Sequence, residues 1–225
     1  MTLGGAARLT DRIATVLAGH PASLPARAPE ALARWLDLVE TWNAKVDLTA
    51  ARTAEELVDL MLADARLLAE HVPEGRRVVD VGTGAGAPGL PLALLRPDLA
   101  VTLVEPLQKR VAFLRTAIGT LVQHGDLAAP PRVERARGED LVRAGRSFEV
   151  AISRATLGPD AWLPLGAALT AEEPAERREI WVLLARDEPP AHAGWVPARD
   201  LRYRWPLTGA DRRAVRYVPE TTKDA

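Results

Sequence analysis

The segment VVDVGTGAGAPGL, Val78 to Leu90, decides the fold, because a β-branched apolar run passes directly into three glycines and a proline. Such a run favours a buried strand, and glycine permits the tight turn that leads a strand into a following helix. Gly82, Gly84 and Ala87 match the pattern G-x-G-x-x-G/A, and Gly86 completes the alternative pattern G-x-G-x-G. The glycines alone leave open whether the ligand is a dinucleotide or another adenosine-containing cofactor.

The residues that flank these glycines favour S-adenosylmethionine. Asp80 closes the strand two residues before the first glycine, where we expect its carboxylate to face the ligand. That charge would repel a pyrophosphate and attract the sulfonium and ammonium groups of the methyl donor. Pro88, expected at the first helical position, lacks the N–H that a phosphate would use. Glu105, at the tip of the next strand, is expected to accept hydrogen bonds from both ribose hydroxyls.

The chain after His71 alternates short apolar runs with helical segments of ten or more residues, which is typical of βαβ units. The apolar runs are RVVDV, AVTLVE, RVERA, FEVAIS and EIWVLLA. From Arg76 onward we therefore predict an α/β fold, a doubly wound and mostly parallel sheet that is Rossmann-like. Two weaker candidates, LRYRW and RAVRYV, predict a closing antiparallel pair.

Two amphipathic helices are predicted before the sheet. Apolar residues recur at helical spacing from Glu30 to Trp42, and Thr53 with Glu56 makes a capping box for a second helix. The inward stripe of that second helix contains Leu57, Leu60, Met61, Leu67 and Leu68. Asp64 lies on the same stripe, so it is either partnered or lines a cavity, unless the helix turns it to water. We predict an N-terminal helical lobe over residues 1–73 and a cofactor-binding domain over 74–225, as two units or one.

Composition excludes several classes of function. With no cysteine, disulfides, thiolate zinc sites and cysteine nucleophiles are impossible, and the four histidines lack metal-ligand spacing, so no metal is expected. No apolar run reaches the roughly 18 residues of a membrane span, and the N-terminus lacks a signal-peptide pattern. The net charge of −1 gives no global attraction for nucleic acid. We expect a cytoplasmic monomer that does not bind membranes.

Three stretches of the chain resemble one family. They are DVGTGAGAPGLPLALLRPDLAVTLVEPLQKRVAFLR at residues 80–115, WNAKVDLTAARTAEEL at residues 42–57 and ISRA at residues 152–155. All three are similar to motifs of the GidB family, bacterial methyltransferases that use S-adenosylmethionine to modify a guanine N7 of 16S ribosomal RNA. The resemblance covers about Leu32 to Leu165, and its combination of motifs is far more specific than a glycine loop.

The resemblance implies cofactor contacts at Gly82, Ala87, Gly138, Glu139 and Arg154. A glycine at position 138 lets backbone approach the adenine edge. Glu139 opens the next helix, so its side chain is either a cofactor contact or a partner of the helix dipole. Arg154, the candidate catalytic residue, is expected to orient the cofactor or the incoming base, the alternative being a surface ion pair. The glycine pattern and the two flanking acids add Asp80, Gly84, Gly86 and Glu105 to the predicted cofactor site.

The resemblance also implies the 30S subunit or its 16S RNA as partner, but the sequence departs from the family pattern. Leu60 and Met61 stand where the family has an Arg-His pair, Ala65 replaces a serine, and Ala185 and Arg186 replace a Lys-Gly pair. Asp64 keeps the family's acidic position, and Glu105 replaces an aspartate. The candidate RNA-contacting residues are Lys45, Arg52, Lys109, Arg110, Arg115, Arg202, Arg204, Arg212, Arg213 and Arg216.

Three competing hypotheses remain open from the sequence. The apolar Leu60 and Met61 suggest a methyltransferase of the same fold that acts on a small molecule or a protein. A cofactor-binding module without activity is the second hypothesis. A dinucleotide-dependent oxidoreductase is the third, and Asp80 and Pro88 disfavour it.

Overall fold

A computed structural model describes residues 6–20, 24–154, 157–185 and 187–220 of the chain. Seven strands form one sheet in the order β3-β2-β1-β4-β5-β7-β6. The strands are β1 (Arg77–Val81), β2 (Ala100–Val104), β3 (Arg132–Glu134), β4 (Val150–Arg154), β5 (Glu179–Leu184), β6 (Trp195–Arg204) and β7 (Asp211–Pro219). The first five strands are parallel and the last two antiparallel, which confirms the predicted fold class and the closing pair.

Seven helices accompany the sheet in the described part of the chain. They are α1 (Ala6–Leu17), α2 (Ala28–Val46), α3 (Ala54–His71), α4 (Gly89–Leu95), α5 (Gln108–Gln123), α6 (Gly138–Arg143) and α7 (Pro159–Leu169). None of these helices has the length and the apolar character that crossing a bilayer demands. Helix α1 was not predicted, although Leu9, Ile13 and Val16 repeat at helical spacing and are fully buried.

The start of α3 shows how the sequence sets the helix boundary. Thr53 Oγ1 accepts a hydrogen bond from Glu56 N at 3.1 Å, as a capping residue should. The Glu56 carboxylate accepts from Arg52 N at 2.7 Å rather than from Thr53 N, so the returning half of the predicted box is displaced by one residue. The first bond satisfies a backbone N–H that the first helical turn leaves without a partner, and the second fixes the residue before the cap.

One apolar cluster joins the N-terminal helices to the sheet. It contains Trp35 and Leu36 of α2 and Leu57 and Leu68 of α3, together with Val78 of β1, all fully buried. A second cluster fills the other face of the sheet beneath α6 and α7. The division of the chain at residue 73 stays a prediction, but the packing across it is continuous.

Strand β6 begins six residues before the segment LRYRW that predicted it. The strand forms the edge of the sheet, and its side chains from Val196 to Asp200 are exposed on both faces. Pro197 and a register shift after it interrupt the pairing with β7. Such an edge has no apolar alternation, so the pattern that marks a half-buried strand is absent there.

Candidate cofactor and acceptor site

The segment between β1 and α4, Gly82 to Pro88, forms a loop at the carboxyl end of the sheet, where open α/β folds bind ligands. Gly84 and Gly86 have φ of +58° and +107°, a region that L side chains rarely adopt. A Cβ at Gly86 would also lie 3.1 Å from Leu90 Cβ and 3.2 Å from Leu114 Cδ2. Gly86 is therefore required by packing onto α4 and α5, whereas space beyond Gly84 is open.

Most backbone N–H groups of this loop already have acceptors within the protein. Gly82 N and Thr83 N donate to Val104 O at 2.8 and 3.1 Å, and Gly86 N donates to Thr83 O at 2.8 Å. Gly84 N donates to Glu105 Oε2 at 3.0 Å. A phosphate-binding loop needs several N–H groups that converge on an anion, and this loop does not present them.

Asp80 lies beneath the loop and is fully buried. Its Oδ2 accepts from Thr83 Oγ1 at 2.6 Å and from Gly89 N at 2.9 Å, while Oδ1 is buried without a hydrogen-bond partner among the described residues. Burial raises the pKa of Asp80 to about 6, against the lowering effect of those two hydrogen bonds. The sequence predicted that the Asp80 carboxylate faces the ligand. In the structure this carboxylate holds the loop and the start of α4 through Thr83 Oγ1 and Gly89 N.

Glu105 follows β2 and is 2 % exposed. One carboxylate oxygen accepts from Gly84 N, and the other accepts from Leu107 N at 2.9 Å. The side chain therefore ties the end of β2 to the glycine loop. Each oxygen has a second lone pair, so these bonds are compatible with the predicted ribose contact, which stays a prediction.

A cavity of about 190 Å³, the cofactor pocket, opens beside the loop. Its lining residues are Val81, Gly82, Pro106, Ala136, Arg137, Gly138, Glu139, Leu157 and Leu165. A Cβ at Gly138 would lie 2.8 Å from Leu165 Cδ2 and 3.1 Å from Val81 Cγ1, so a larger residue there would crowd the pocket. Glu139 lies exposed in the first turn of α6 and also lines this pocket.

A second cavity of about 400 Å³, the acceptor pocket, lies at the carboxyl ends of β4 and β5. It is lined by Leu60, Asp64, Arg154, Leu157, Gly158, Pro159, Leu183, Leu184, Ala185, Asp187, Tyr203, Trp205 and Arg212. Leu157 lines both this pocket and the cofactor pocket. The two cavities therefore adjoin at that side chain.

Asp64 of α3 contacts three other side chains that line the acceptor pocket. It is 2 % exposed, and its Oδ1 accepts from Tyr203 Oη at 2.7 Å and from Trp205 Nε1 at 3.1 Å. Its Oδ2 faces Arg154 Nη1 at 3.3 Å, and the same nitrogen donates to Leu60 O. Desolvation and then the Asp64 charge raise the pKa of Tyr203 well above its usual range. The alternative in which Asp64 turns to water is therefore wrong.

The sequence-predicted site residues separate into three groups. Gly82, Gly138 and Glu139 line the cofactor pocket, and Arg154, the last residue of β4, lines the acceptor pocket. Gly84 and Glu105 meet beside the loop. Asp80 and the loop residues Gly86 and Ala87 are buried, and, like Gly84 and Glu105, they line neither cavity.

Two details of the predicted site differ in the structure or fall outside it. Helix α4 begins at Gly89, so Pro88 is the residue before the helix instead of its first residue. The first N–H of α4, Gly89 N, donates to Asp80 Oδ2 and is therefore not free to bind a phosphate. The prediction had placed the missing donor one residue earlier, at Pro88. Ala155, the last residue of the ISRA motif, and Arg186 lie outside the described residues.

The candidate RNA-contacting cations differ in their surroundings. Lys45, Arg52, Lys109 and Arg115 are exposed, while Arg110 donates to Asp47 O at 3.0 Å. On the closing hairpin, Arg204 pairs with Asp211, Arg213 with Asp200 and Glu188, and Arg216 with Glu179. Their contact with RNA stays a prediction.

Sequence reasoning missed two residues that line the acceptor pocket, Tyr203 and Trp205. Tyr203 and Trp205 come from the end of β6, some 140 positions after Asp64 in the chain. The only available signal was the aromatic-basic alternation of LRYRW, which indicated a strand but not its partner. Trp35 of α2 is fully buried, and its Nε1 donates to Ala85 O at 3.2 Å and thereby supports the glycine loop.

A family model described as GidB, rRNA small subunit methyltransferase G, matches residues 28–159 of the chain. Two similar relatives carry the name ribosomal RNA small subunit methyltransferase G. The protein from Anaeromyxobacter dehalogenans is 39 % identical over 158 residues, covering 68 % of this chain and 69 % of the relative. The protein from Myxococcus xanthus is 33 % identical over 222 residues, covering 95 % of this chain and 99 % of the relative.

Among solved structures, a methyltransferase from Pyrococcus furiosus has a similar fold. The TM-score is 0.53 with 13 % sequence identity, and the match covers 84 % of this chain and 98 % of that chain. At this identity the likeness concerns the fold alone, and it agrees with the Rossmann-like sheet described above.

Proposed function

The chain belongs to the GidB family, rRNA small subunit methyltransferase G, and on this premise we propose that it is an S-adenosylmethionine-dependent methyltransferase acting on N7 of a guanine in 16S ribosomal RNA. Membership of this family supports the reaction class and the RNA substrate. The geometry of the two cavities supports the assignment of cofactor and acceptor to separate pockets.

The chemistry of the glycine loop supports S-adenosylmethionine as the cofactor. The loop N–H groups of Gly82, Thr83, Gly84 and Gly86 are already bonded, so an anion finds little stabilisation there. The buried Asp80 carries a negative charge near neutral pH, because its pKa of about 6 is lower than physiological pH. Both features disfavour a pyrophosphate and favour a cationic ligand. The same argument speaks against the dinucleotide oxidoreductase.

The cofactor pocket has a shape and lining that suit an adenosyl group. Val81, Leu157 and Leu165 offer apolar contact to a planar base, and Gly138 leaves backbone open beside it. Glu105, at the loop, would hold the ribose hydroxyls. S-adenosylmethionine supplies a methyl group activated by a sulfonium. The residues of this pocket would bind and orient it.

The observation that carries the proposal is the junction of the two cavities at Leu157. A methyl transfer needs donor and acceptor to meet in line, with most of the rate acceleration supplied by positioning. Guanine N7 presents its own lone pair, so attack on the methyl group needs no general base. Arg154, held by Asp64 and Leu60 O at the acceptor pocket, would orient the incoming base.

The departures from the family pattern weigh little against RNA as the acceptor. Met61 is 2 % exposed and belongs to the core, so it cannot contact any acceptor. Leu60 lines the acceptor pocket, but its backbone carbonyl accepts from Arg154, a contact that does not depend on the side chain at that position. The family membership does not favour a small-molecule or protein acceptor, and it does not favour a module without activity.

Methyl transfer to 30S subunits tests the proposal directly. The protein is incubated with labelled S-adenosylmethionine and 30S subunits from a strain that lacks its own enzyme of this family, and the modified base is mapped. We expect label on N7 of one guanine of 16S RNA. Labelling of another atom, or of a small metabolite instead of 30S subunits, would overturn the assignment of the acceptor.

Variants at Arg154 test the assignment of the acceptor pocket. Arg154→Ala should lower kcat/KM for 30S subunits by at least tenfold, and Arg154→Lys should retain part of the activity because it keeps a charge beside Asp64. Arg132→Ala, an exposed arginine of β3, is the matched control and should behave as wild type. Unchanged transfer and unchanged cofactor affinity in Arg154→Ala would remove this residue from the site.

A further inference from the structure

A third cavity, the outer groove, runs along the closing hairpin outside the acceptor pocket. It has a volume of about 440 Å³ and is lined by Ala185, Asp187, Glu188, Arg202, Tyr203, Arg204, Asp211, Arg212 and Arg213. Four of these residues also line the acceptor pocket, namely Ala185, Asp187, Tyr203 and Arg212. The outer groove therefore continues into the acceptor pocket, and Arg212 stands at their junction.

The Arg212 side chain is fixed in an unusual orientation for a surface arginine. Its guanidinium carbon lies 3.7 Å from the centroid of the Trp205 ring, and Nη1 donates to Asp211 O at 2.8 Å. Trp205 is itself fixed, because its Nε1 donates to the buried carboxylate of Asp64. Arg212 lines both cavities and is half-buried, so its guanidinium is backed by the Trp205 ring without being fully enclosed.

The charges of the outer groove do not make it a strong phosphate channel. Arg213 is paired with Asp200 and Glu188, and Arg204 is paired with Asp211. Asp187 adds a further negative charge to the wall. What distinguishes the junction is therefore the flat Arg212–Trp205 pair rather than excess positive charge. Arginine planes and aromatic rings are the groups on which proteins stack unpaired RNA bases.

We propose that Arg212, backed by Trp205, is a stacking platform for an unpaired RNA base at the mouth of the acceptor pocket. The proposal depends on the proposed function, since it takes ribosomal RNA as the partner. When a guanine leaves its stack to enter the pocket, the neighbouring base loses a stacking partner. The platform replaces that partner.

A charge-conserving substitution separates stacking from simple attraction to phosphate. Arg212→Lys keeps the positive charge and loses the plane, and Arg212→Ala loses both. The readout is the Kd for 30S subunits from the strain lacking the family enzyme, measured at several salt concentrations without methyl transfer. Arg199→Lys is the matched control, because Arg199 is exposed on β6 of the same hairpin and lines neither the outer groove nor the acceptor pocket.

We expect Arg212→Lys to raise the Kd for 30S subunits by about tenfold, in line with the loss of one stacked base. The slope of affinity against salt should not change, because the number of charges is the same. Arg199→Lys should bind as wild type does. Cofactor affinity and the urea midpoint of unfolding should be unchanged in both lysine variants.

Two results would overturn the platform. One is an Arg212→Lys variant that binds 30S subunits as tightly as wild type while Arg212→Ala binds weakly, since charge alone would then suffice. The other is a wild-type protein that does not bind 30S subunits. Because binding is read separately from methyl transfer, a protein that binds RNA through Arg212 but transfers no methyl group would refute the proposed function and leave the platform supported.

Discussion

Replacing Asp64 with alanine tests whether one carboxylate holds the acceptor pocket together. In the folded protein this side chain accepts hydrogen bonds from Tyr203 and Trp205 and faces the guanidinium of Arg154. Asp64→Ala would leave two neutral donors and one cation facing an empty space. Asp64→Asn keeps an oxygen for Tyr203 and Trp205 but replaces the charged acceptor opposite Arg154 with a neutral NH2 group, which cannot accept its hydrogen bond.

The cost of Asp64→Ala follows from burial. The Asp64 side chain is 3 % exposed and that of Arg154 is 17 % exposed, so water replaces the lost contacts only on the pocket side. Breaking a buried ion pair by removing one partner costs about 3–5 kcal/mol, and each buried donor left unpaired costs about 1–3 kcal/mol. These costs overlap, since the same pocket water can serve several donors. We expect a loss of about 4 kcal/mol for Asp64→Ala and about 2 kcal/mol for Asp64→Asn.

Urea denaturation followed by circular dichroism measures both losses. The matched control is Glu74→Ala, an exposed carboxylate before β1, which should stay within about 0.5 kcal/mol of wild type. A loss below about 1 kcal/mol for Asp64→Ala would refute the argument that this group is a structural centre. Equal losses for Asp64→Asn and Asp64→Ala would show that the charge, and not the acceptor geometry, sets the stability.

Three further perturbations have defined outcomes. The pKa of Asp80 is about 6 in the folded chain and 3.8 in an unfolded one, so the folded state binds the extra proton between these values and loses stability as pH rises through them. Relative to wild type, Asp80→Asn should therefore gain about 2 kcal/mol of unfolding free energy between pH 4 and pH 8 in urea titrations, and a pH-independent difference would contradict the raised pKa. Burial raises the pKa of both tyrosines, Tyr203 and Tyr217, so at about pH 10, where the urea-unfolded chain is half ionised, the folded chain should show less tyrosinate absorbance. Gly138→Ala should push Leu165 into the cofactor pocket and weaken S-adenosylmethionine binding by about tenfold in calorimetry, at a cost of about 1–3 kcal/mol in stability. The control Gly119→Ala has open space around the new methyl group and should bind the cofactor as wild type does.

The sheet was predictable because its strands carry their own pattern. RVVDV coincides with β1, and the other parallel strands were located within two residues, since buried parallel strands read as continuous β-branched runs. Strand β6 was predicted only in its second half, because the exposed edge from Val196 to Asp200 has no alternation to read. Helix α1 has a clear apolar repeat, but it lies far from the glycine loop and from any other motif.

The site was predictable where its residues are neighbours in sequence or lie at strand ends. The glycine loop, Glu105 and Arg154 belong to adjacent parallel strands, whose carboxyl ends meet at one edge of the sheet. The contact of Asp64 with Tyr203 and Trp205 joins a helix before the sheet to a hairpin after it. No local pattern specifies such a contact, because it depends on how the whole chain folds.

The acceptor pocket constrains how the chain can be divided. Leu60 and Asp64 come from the predicted N-terminal lobe, whereas Arg154, Tyr203 and Trp205 come from the predicted cofactor-binding domain. A second link lies nearby, where the fully buried Asp59 accepts from Leu207 N and Thr208 N in the turn between β6 and β7. Without α3, the hairpin would lose both carboxylates that hold it, and Arg154 would lose its ion-pair partner. The helical segment is therefore a wall of the acceptor pocket and not a separate attachment to it, so the pocket can exist only when residues on both sides of position 73 fold together.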